Sequence, residues 1–326
     1  MSFKKVLIIR FSSIGDIVLT SPIVRCIKKQ KKSIIHFLTK QKYVDLIKYN
    51  PYIDKVFSIE SFDYDLNIHQ YNLVLDLQKN LKSFFVGQFL KDKFQSKYVT
   101  YNKKNIAKWV LVNLKQDFLK NEHIVSRYFS ALRKLNLKND EKGLDYFIDP
   151  NLVEKNIPIN FSFKQPFYVW LIGGSFDNKK ISADQIISVC SKISKPVLFL
   201  GGGEEKKTAK KICKNLERPS FYNLCGALNY DQSAYIIEKS SLVLTNDTGF
   251  MHIASSFKKK IISLWGCTKP SLGMYPYKID SKNIQIIGNS KKIPCSKLGD
   301  RCRKKSTCIK QISVNQILNA IKKLEV

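Results

Sequence analysis

The sequence predicts an α/β protein built from two doubly wound domains, and three observations carry this prediction. The chain has 326 residues, about twice the length of a typical domain. Short runs of apolar, β-branched residues alternate with stretches that repeat apolar residues at helical spacing. The series of strands also stops before a charged, proline-containing segment and then restarts, which indicates a second domain.

The first series of strands begins near the amino terminus. A strand at residues 6–9 is followed by a helix predicted over 16–31, in which Ile17, Val24 and Ile27 have helical spacing. The other strands of this series lie at residues 34–38, 55–59, 73–77 and 97–101. These runs are apolar throughout, which predicts a parallel sheet covered on both faces. Residues 103–137 then show a helical pattern.

A second series of strands follows a segment that marks the domain boundary. Residues 138–165 mix charge with Pro150 and Pro158, so we predict domains at residues 1–160 and 161–326. The second series of strands lies at residues 168–172, 197–200, 221–224, 242–245, 261–265 and 284–287. Helices are predicted near residues 183–194, 204–216, 231–239 and 249–257.

A last helix is predicted at residues 314–324, with an apolar face. We expect it either to complete the second domain or to pack back on the first. Two Rossmann-like domains that face each other leave a cleft between the carboxyl ends of their strands, where ligands bind in such sheets. The sequence therefore places the function in that cleft.

Composition excludes several classes of protein. With 25% charged and 44% hydrophobic residues, the chain is neither of low complexity nor collagen-like. Its longest charge-free runs are about 12 residues, whereas a membrane-spanning helix needs roughly 20 apolar residues. The apolar run before Arg10 is too short for the core of a signal peptide. We therefore expect a cytoplasmic protein.

The chain is strongly basic. Its 56 Lys and Arg against 26 Asp and Glu give a formal net charge of +30, and 49 of the cations are Lys. Proteins that read phosphates or bases favour Arg instead, so nucleic acid is not an expected partner. Such a charge attracts polyanions, including an anionic lipid surface or a phosphorylated saccharide. The lysines form either an ordinary solvated surface, which we favour, or a selected binding patch.

Eight cysteines in a chain without a recognisable secretory signal indicate reduced thiols. Five of them, Cys267 included, have apolar or helical neighbours and are interpreted as core residues. Cys295, Cys302 and Cys308 lie in a basic loop, without the C-x-x-C pairs of a zinc ribbon and without a nearby His. We expect free thiols and no metal.

A polar turn, Arg-Phe-Ser-Ser-Ile-Gly-Asp at residues 10–16, follows the first strand. It has a single Gly and is not the G-x-G-x-x-G of a dinucleotide-binding protein. Asp16 starts the next helix, so it is either a capping carboxylate or a general base that projects into the cleft, kept ionised by the helix dipole. The residue pattern alone leaves both interpretations open.

Three strand ends in the second domain carry residues suited to a nucleotide diphosphate. Residues 246–252, Asn-Asp-Thr-Gly-Phe-Met-His, start a helix whose N–H groups and Gly249 favour an anion. Gly173, Gly174 and Ser175 precede Lys179 and Lys180, and Gly201–Gly203 precede Glu204 and Glu205, whose carboxylates suit a ribose diol. Each turn is ordinary by itself, and Asp247 and His252 have structural interpretations as a helix cap and a core histidine. Together the three turns predict a nucleotide-diphosphate pocket.

These motifs, in their order along the chain, resemble those of the ADP-heptose:lipopolysaccharide heptosyltransferases, family-nine glycosyltransferases of GT-B fold. The segments that carry the resemblance are residues 10–16, 173–180, 200–205, 246–254 and 263–270. The resemblance implies that Asp16 is the catalytic base and that Ser12, Ser13 and Gly15 lie on the acceptor side. It implies that the donor is bound by Ser175, Lys179, Glu204, Glu205, Asp247, Thr248, Gly249 and His252.

The implied reaction is an inverting transfer of a heptose-type sugar from an ADP-sugar to a lipopolysaccharide core or a related anionic glycolipid at the inner membrane face. No cofactor is expected, because the ADP-sugar is a co-substrate, and no metal is expected, because cations and a helix start would stabilise the diphosphate. The chain departs from the family where Lys269 and Ile181 replace an acid and an aromatic residue, and where three late-loop cysteines replace four. Asp63 and Asp65 resemble a D-x-D metal motif but are interpreted as surface residues.

Two other functions are compatible with parts of the sequence. A nucleic-acid or anionic-surface binding module would explain the charge, but the chain has few Arg and no recognisable binding motif. A nucleotide-sugar epimerase of GT-B architecture would explain the two domains. The Ser-Ser-Ile-Gly-Asp turn at residues 12–16 disfavours the epimerase.

Overall fold

The computed structural model describes residues 3–62, 70–288, 293–302 and 308–325, so Asp63 and Asp65 lie outside the described residues. The chain forms two compact units. The first comprises Met1–Lys103 and His123–Asp149, and the second comprises Lys104–Glu122 and Pro150–Val326.

The unit boundaries differ from the predicted domains in two ways. The second unit begins at Pro150 rather than at residue 161, and it includes the helical segment Lys104–Glu122. Leu111 and Leu119 of this segment pack with Leu272 in a small apolar cluster of the second unit. Burial of these side chains, rather than position along the chain, decides which unit the segment joins.

The first unit contains a five-stranded parallel sheet in the order β3-β2-β1-β4-β5. Its strands are β1 Lys5–Ile9, β2 Ile34–Thr39, β3 Lys55–Ser58, β4 Leu73–Asp76 and β5 Lys97–Thr100. Its α-helices among the described residues are α1 Ile14–Val18, α2 Ser21–Lys31, α3 Leu81–Phe94 and α5 Ile124–Leu132. Each predicted strand of this series is confirmed to within about one residue.

The helix predicted over residues 16–31 is wrong as a single element. The chain turns between α1 and α2, and Pro22 lies in the first turn of α2. Proline has no backbone N–H to donate to the preceding turn, so it is compatible with a helix start but interrupts a continuous helix. The break leaves Asp16 in a short helix directly after β1.

The second unit contains a six-stranded parallel sheet in the order β11-β10-β9-β6-β7-β8. Its strands are β6 Tyr168–Leu171, β7 Val197–Leu200, β8 Phe221–Asn223, β9 Leu242–Asn246, β10 Ile261–Trp265 and β11 Asn283–Ile287. Its α-helices among the described residues are α4 Asn105–Leu114, α6 Ala183–Cys190, α7 Lys206–Leu216, α8 Tyr230–Lys239, α9 Gly249–Ser256 and α10 Val314–Glu325. The parallel sheets and alternating helices confirm the predicted fold class.

The last helix, α10, completes the second unit. Its apolar residues Ile317, Ile321 and Leu324 belong to the same core cluster as Trp170 of β6 and Leu264 of β10. The apolar face of this helix therefore packs within the second unit, as in the first of the two predicted alternatives. An apolar face on a terminal helix requires a sheet to cover, and the nearest one along the chain supplies it.

In each sheet, successive strands are added first on one side of the first strand and then on its other side, so the strand order has a switch point next to that strand. In the first unit this point lies between β1 and β4, and in the second unit between β6 and β9. Loops at the carboxyl ends of two such strands diverge to opposite faces of the sheet and leave a crevice where ligands bind. The predicted site residues follow these strands.

Candidate active site

Asp16 is held in place by residues of its own loop. The Ser13 backbone N–H and the Ser13 hydroxyl both donate to Oδ2 of Asp16, at 3.1 and 2.9 Å. Nη2 of Arg10 lies 2.6 Å from Oδ1. The bond from the Ser13 N–H is the one that a capping carboxylate accepts at a helix start, so Asp16 does cap α1. Its side chain is still 23% exposed.

The surroundings of Asp16 keep its carboxylate ionised. Burial alone would raise the pKa, but the charge of Arg10 and the hydrogen bonds from Ser13 outweigh it, so the pKa of Asp16 lies below its ordinary value of 3.8. Each carboxylate oxygen has two lone pairs, so these partners do not exhaust its capacity to accept a proton. Asp16 is therefore a pre-oriented and charged acceptor at the carboxyl end of β1.

Arg10 is the residue that orients Asp16, and its own position is fixed from several sides. Its guanidinium is buried and donates to the Ser12 carbonyl at 2.8 Å, to the Leu77 carbonyl and to the Tyr128 hydroxyl at 3.4 Å. Burial disfavours the charge, yet Asp16 and Tyr128 raise the pKa of Arg10 above its ordinary value. The sequence analysis did not assign Arg10 a role, although Arg10 stands in the motif.

A second loop supports the first. Oε1 of Gln78, after β4, accepts the backbone N–H groups of Phe11 and Ser12 at 3.0 and 3.4 Å. Asp76 is fully buried and accepts the N–H groups of Gln78 and Lys79 at 2.8 and 2.7 Å. The loops after β1 and β4 are thus bonded to each other at the crevice.

The acceptor-side residues predicted from the motif differ in exposure. Ser13 is exposed and Ser12 is half-buried, whereas Gly15 is buried inside α1. The two serines can therefore be reached by a ligand more readily than Gly15.

In the second unit, Lys179 and Asp247 form an ion pair. Nζ of Lys179 lies 2.8 Å from Oδ2 of Asp247, and both side chains are largely buried, with 12% and 14% exposed. The Thr268 hydroxyl donates to the same oxygen at 2.8 Å. Strand ends β6, β9 and β10 thus each contribute one group, and Thr268 had no assigned role in the sequence analysis.

Lys180 and Glu205 form a second ion pair, which joins the loop after β6 to the loop after β7. Nζ of Lys180 lies 2.8 Å from Oε1 of Glu205, and Oε2 accepts the Gly202 N–H at 2.9 Å. Glu205 is buried, whereas Glu204 and Ser175 are exposed in their turns. Gly226 has a φ of +70°, and a Cβ there would lie 2.8 Å from the Gly203 backbone. Only a glycine lets this part of the chain approach the turn at Gly203 so closely.

The start of α9 is an anion-binding arrangement. The Thr248 hydroxyl accepts the Phe250 N–H at 3.2 Å and caps the helix at Gly249. The helix dipole and the N–H groups of the first turn favour a negatively charged ligand here. Asn246 donates to the carbonyls of Ile172 and Gly173, both at 3.1 Å, which ties the end of β9 to the end of β6.

His252 is buried inside α9, with 2% of its surface exposed. Its assignment to the donor site stays a prediction. The donor-side residues predicted from the sequence otherwise lie at the carboxyl ends of adjacent strands, as expected from the topology.

Four cysteines meet beyond the end of β10. The sulfur atoms of Cys267, Cys295, Cys302 and Cys308 all lie within 4.8 Å of one another. The sequence analysis grouped three of these residues and interpreted Cys267 as a separate core residue. Cys267 is indeed buried, but its thiol faces the other three. Donors of this kind can bind a metal ion.

The whole chain, and not only the site, is similar to known glycosyltransferases. A sequence model of glycosyltransferase family 9 (heptosyltransferase) matches residues 59–306. The chain is 28% identical to lipopolysaccharide heptosyltransferase 1 of Campylobacter coli over an alignment of 349 positions, gaps included, which covers 98% of each chain. The family 9 glycosyl transferase of Veillonella parvula superposes with a TM-score of 0.77 at 18% identity, covering 99% of this chain and 98% of that one.

A second solved structure shows the same fold. The ADP-heptose lps heptosyltransferase II of E. coli superposes with a TM-score of 0.72 at 15% identity, over 98% of both chains. The family match covers more than half of the chain and includes the donor-side residues from Ser175 to His252. The chain therefore belongs to glycosyltransferase family 9, the heptosyltransferases, and is a glycosyltransferase of GT-B fold.

Proposed function

We propose that this enzyme transfers a heptose from ADP-heptose to an anionic glycolipid of the lipopolysaccharide core, with inversion at the sugar. The names of its relatives support the donor and the acceptor: one is a lipopolysaccharide heptosyltransferase and another an ADP-heptose enzyme. Membership of family 9 disfavours the two alternatives, a binding module and an epimerase. The observation that carries the proposal is the oriented, ionised carboxylate of Asp16 directly after β1.

Asp16 acts as the general base. The acceptor hydroxyl attacks the anomeric carbon, and Asp16 takes its proton as the new bond forms. A carboxylate with a low pKa is charged at neutral pH but is a weak base, so it accepts the proton once bond formation has made the hydroxyl more acidic. Arg10 and Ser13 position the carboxylate and do not themselves touch the reacting atoms.

The leaving ADP is stabilised by cations and backbone N–H groups. The diphosphate lies at the start of α9, where the N–H groups of its first turn point toward the anion. Lys179 neutralises the charge that grows on the leaving oxygen, from its place beside Asp247. Glu204 and Glu205 lie in the turn after β7, and a carboxylate of this pair accepts the ribose hydroxyls.

Replacing Asp16 with Asn tests the base. The amide keeps the shape and loses the basic oxygen, so we expect kcat to fall about 10²- to 10⁴-fold while ADP-heptose affinity stays nearly unchanged. A matched control is Asp54→Asn, because Asp54 is also ion-paired, with Lys28 at 2.7 Å, but lies before β3. Turnover of Asp16→Asn within about tenfold of wild type would reduce Asp16 to a capping residue.

We also propose that the enzyme works at an anionic membrane surface, bound through helix α3. Among the described residues, no helix is long and apolar enough to cross a bilayer. One face of α3 packs on the first sheet through Val86 and Leu90, yet its outer face exposes four large apolar side chains. They are Leu81, Phe84, Phe85 and Phe89, exposed by 76%, 46%, 66% and 42%.

The charges on α3 suit an anionic leaflet. Lys82, Lys91 and Lys93 outnumber the one acid, Asp92, among the exposed charges of this helix, and a lysine near a negatively charged membrane contributes roughly 1 kcal/mol to binding. Aromatic side chains that insert at the headgroup boundary add hydrophobic burial. A face with both features brings the enzyme to the glycolipid acceptor.

Vesicle sedimentation tests this surface. We expect the double variant Leu81→Ser, Phe85→Ser to lose most binding to vesicles that contain an anionic phospholipid, while transfer to a water-soluble acceptor fragment stays unchanged. Val153→Ser is the control, because Val153 is 45% exposed but lies in the second unit. Unaltered vesicle binding by the double variant would contradict the assignment of α3.

A further inference from the structure

We propose that Cys267, Cys295, Cys302 and Cys308 bind one divalent transition-metal ion, Zn²⁺ or Fe²⁺, in a closed four-thiolate site. Their sulfur atoms lie within 4.8 Å of one another, with 3.5 Å between Cys295 and Cys308 and 3.9 Å between Cys302 and Cys308. A tetrahedral ion with metal–sulfur bonds of about 2.3 Å separates its ligands by about 3.8 Å. Disulfide bonds, at about 2.05 Å, are much shorter than these separations.

The four thiols are brought together by backbone packing from three parts of the chain. Cys267 follows β10, and its carbonyl accepts the Cys295 N–H at 2.8 Å. The backbone N–H of Gly288, after β11, donates a hydrogen bond to the Trp265 carbonyl at 2.8 Å. A Cβ at Gly288 would lie 2.1 Å from the Cys308 carbonyl oxygen. This close approach shows that the cluster is built into the fold.

The chemistry of the donors selects the ion. Cys267, Cys295 and Cys308 are buried, and Cys302 is half-buried, so water has little access to the ion, and four thiolates fill its tetrahedral coordination. Four sulfur ligands favour Zn or Fe over Mg, Ca or Mn. A divalent ion with four thiolates has a net charge of −2, and the surrounding segment of the sequence is basic, with Lys297, Arg301 and residues 303–305.

The same loop contacts the donor side of the second unit. Gly299 has a φ of +79°, and a Cβ there would lie 2.6 Å from Cε of Lys179. Asn178 donates to the Asp300 carbonyl at 3.2 Å, and Thr268, next to Cys267, donates to Asp247. A metal ion that fixes this loop therefore also fixes the wall beside the Lys179–Asp247 pair. This consequence rests on the proposed function, whereas the metal site itself does not.

Metal analysis of the purified full-length protein tests the site. We expect about one Zn or Fe ion per chain, and loss of that ion in Cys308→Ser and in Cys302→Ser. Cys213→Ser is the matched control, because Cys213 lies on α7 outside the cluster, and it should retain the ion. A reduced wild-type protein without bound transition metal, or a Cys308→Ser variant with full metal content, would overturn the proposal.

A measurement on the wild-type protein covers the case in which a variant does not fold. Stepwise mercuration of the thiols should release the ion, and reconstitution with Co²⁺ should give the charge-transfer absorption of thiolate coordination. Absence of both signals contradicts the site. The metal-free protein should also bind ADP about tenfold or more weakly, as when a supporting residue of a site is lost. If ADP affinity is unchanged, the contact with Lys179 carries no function, although the metal site stands.

Discussion

Lys179 and Asp247 show how one charged pair can control an anion site. The lysine is neutralised by a carboxylate 2.8 Å away, with both groups largely buried. Removing the lysine alone leaves that carboxylate uncompensated at the proposed diphosphate site, and an unpaired buried charge is costly. The effect of the single substitution on donor binding therefore combines a lost attraction with an added repulsion.

A double-mutant cycle separates these two contributions. We expect Lys179→Ala to weaken ADP-heptose binding about 10- to 150-fold, the equivalent of roughly 1.5 to 3 kcal/mol for a charge-assisted hydrogen bond. Adding Asp247→Asn should restore part of the affinity, because it removes the unpaired carboxylate. Isothermal titration with ADP-heptose measures both. The control is Lys210→Ala on the exposed face of α7, and an equal loss in this control would mean that bulk charge captures the nucleotide.

At the scale of secondary structure, helix α2 is anchored by an arginine. Arg25 donates to Asp140 at 2.7 and 2.8 Å, to the Gly143 carbonyl at 2.9 Å and to Asp145. Its side chain is 3% exposed. These bonds tie α2, which follows the Asp16 turn, to the segment that leads out of the first unit.

Breaking this anchor should destabilise the first unit. We expect Arg25→Ala to lower the free energy of unfolding by about 3 kcal/mol, because it removes a buried arginine and leaves two partly buried carboxylates unpaired. Lys28→Ala on the same helix is the control, since the Lys28–Asp54 pair is more exposed, at 28% and 38%, and such pairs contribute about 1 kcal/mol or less. Urea unfolding measures both, and equal effects would contradict the anchoring role.

The anchor also makes stability depend on pH. The hydrogen bond from Arg25 lowers the pKa of Asp140 from 3.8 to about 2. A lowered pKa stabilises the folded protein above the unfolded value, and this stabilisation is lost as the pH falls from about 4 toward 2. Burial raises the pKa of Asp145 despite the same arginine, so we assign the acid-dependent stabilisation to Asp140. The difference in the free energy of unfolding between wild type and Arg25→Ala, measured in urea, should accordingly be smaller at pH 2.5 than at neutral pH.

Across the whole molecule, the proposed mechanism uses lysines and helix N–H groups for the positive charge that other transferases obtain from a metal ion. The chain carries a net charge of +30, and the donor-side strand ends hold Lys179 and Lys180. We therefore expect transfer to continue when free divalent ions are removed by a brief treatment with EDTA. Metal analysis of the treated protein must confirm that the cysteine-bound ion is retained, because its loss would act through the loop at Gly299.

A different outcome of the EDTA treatment would contradict this expectation. Activity that disappears on chelation while the cysteine-bound ion stays in place, and that returns with Mg²⁺ or Mn²⁺, would contradict metal-free transfer. It would make Asp63 and Asp65 candidates for the ligands.

The sequence by itself determined the strands and the fold class, and it located the predicted site residues in the loops after strands. Runs such as residues 197–200 and 261–265 are apolar throughout because both faces of a parallel sheet are buried, so their bounds can be identified without a structure. Asp16, Lys179 and Asp247 could be located because polar residues in the loops after such strands lie at one edge of the sheet. These signals are local along the chain.

The tertiary structure alone decided the features that depend on residues far apart in sequence. Segment Lys104–Glu122 joins the second unit because its leucines pack with Leu272. Cys267 joins three cysteines that follow it by 28 to 41 residues, because β10 and the late loop pack together. The Arg10–Asp16 pair likewise depends on buried carbonyl and hydroxyl partners at Leu77 and Tyr128. Such partners are set by packing and by the need to satisfy buried polar groups, which no periodicity in the sequence records.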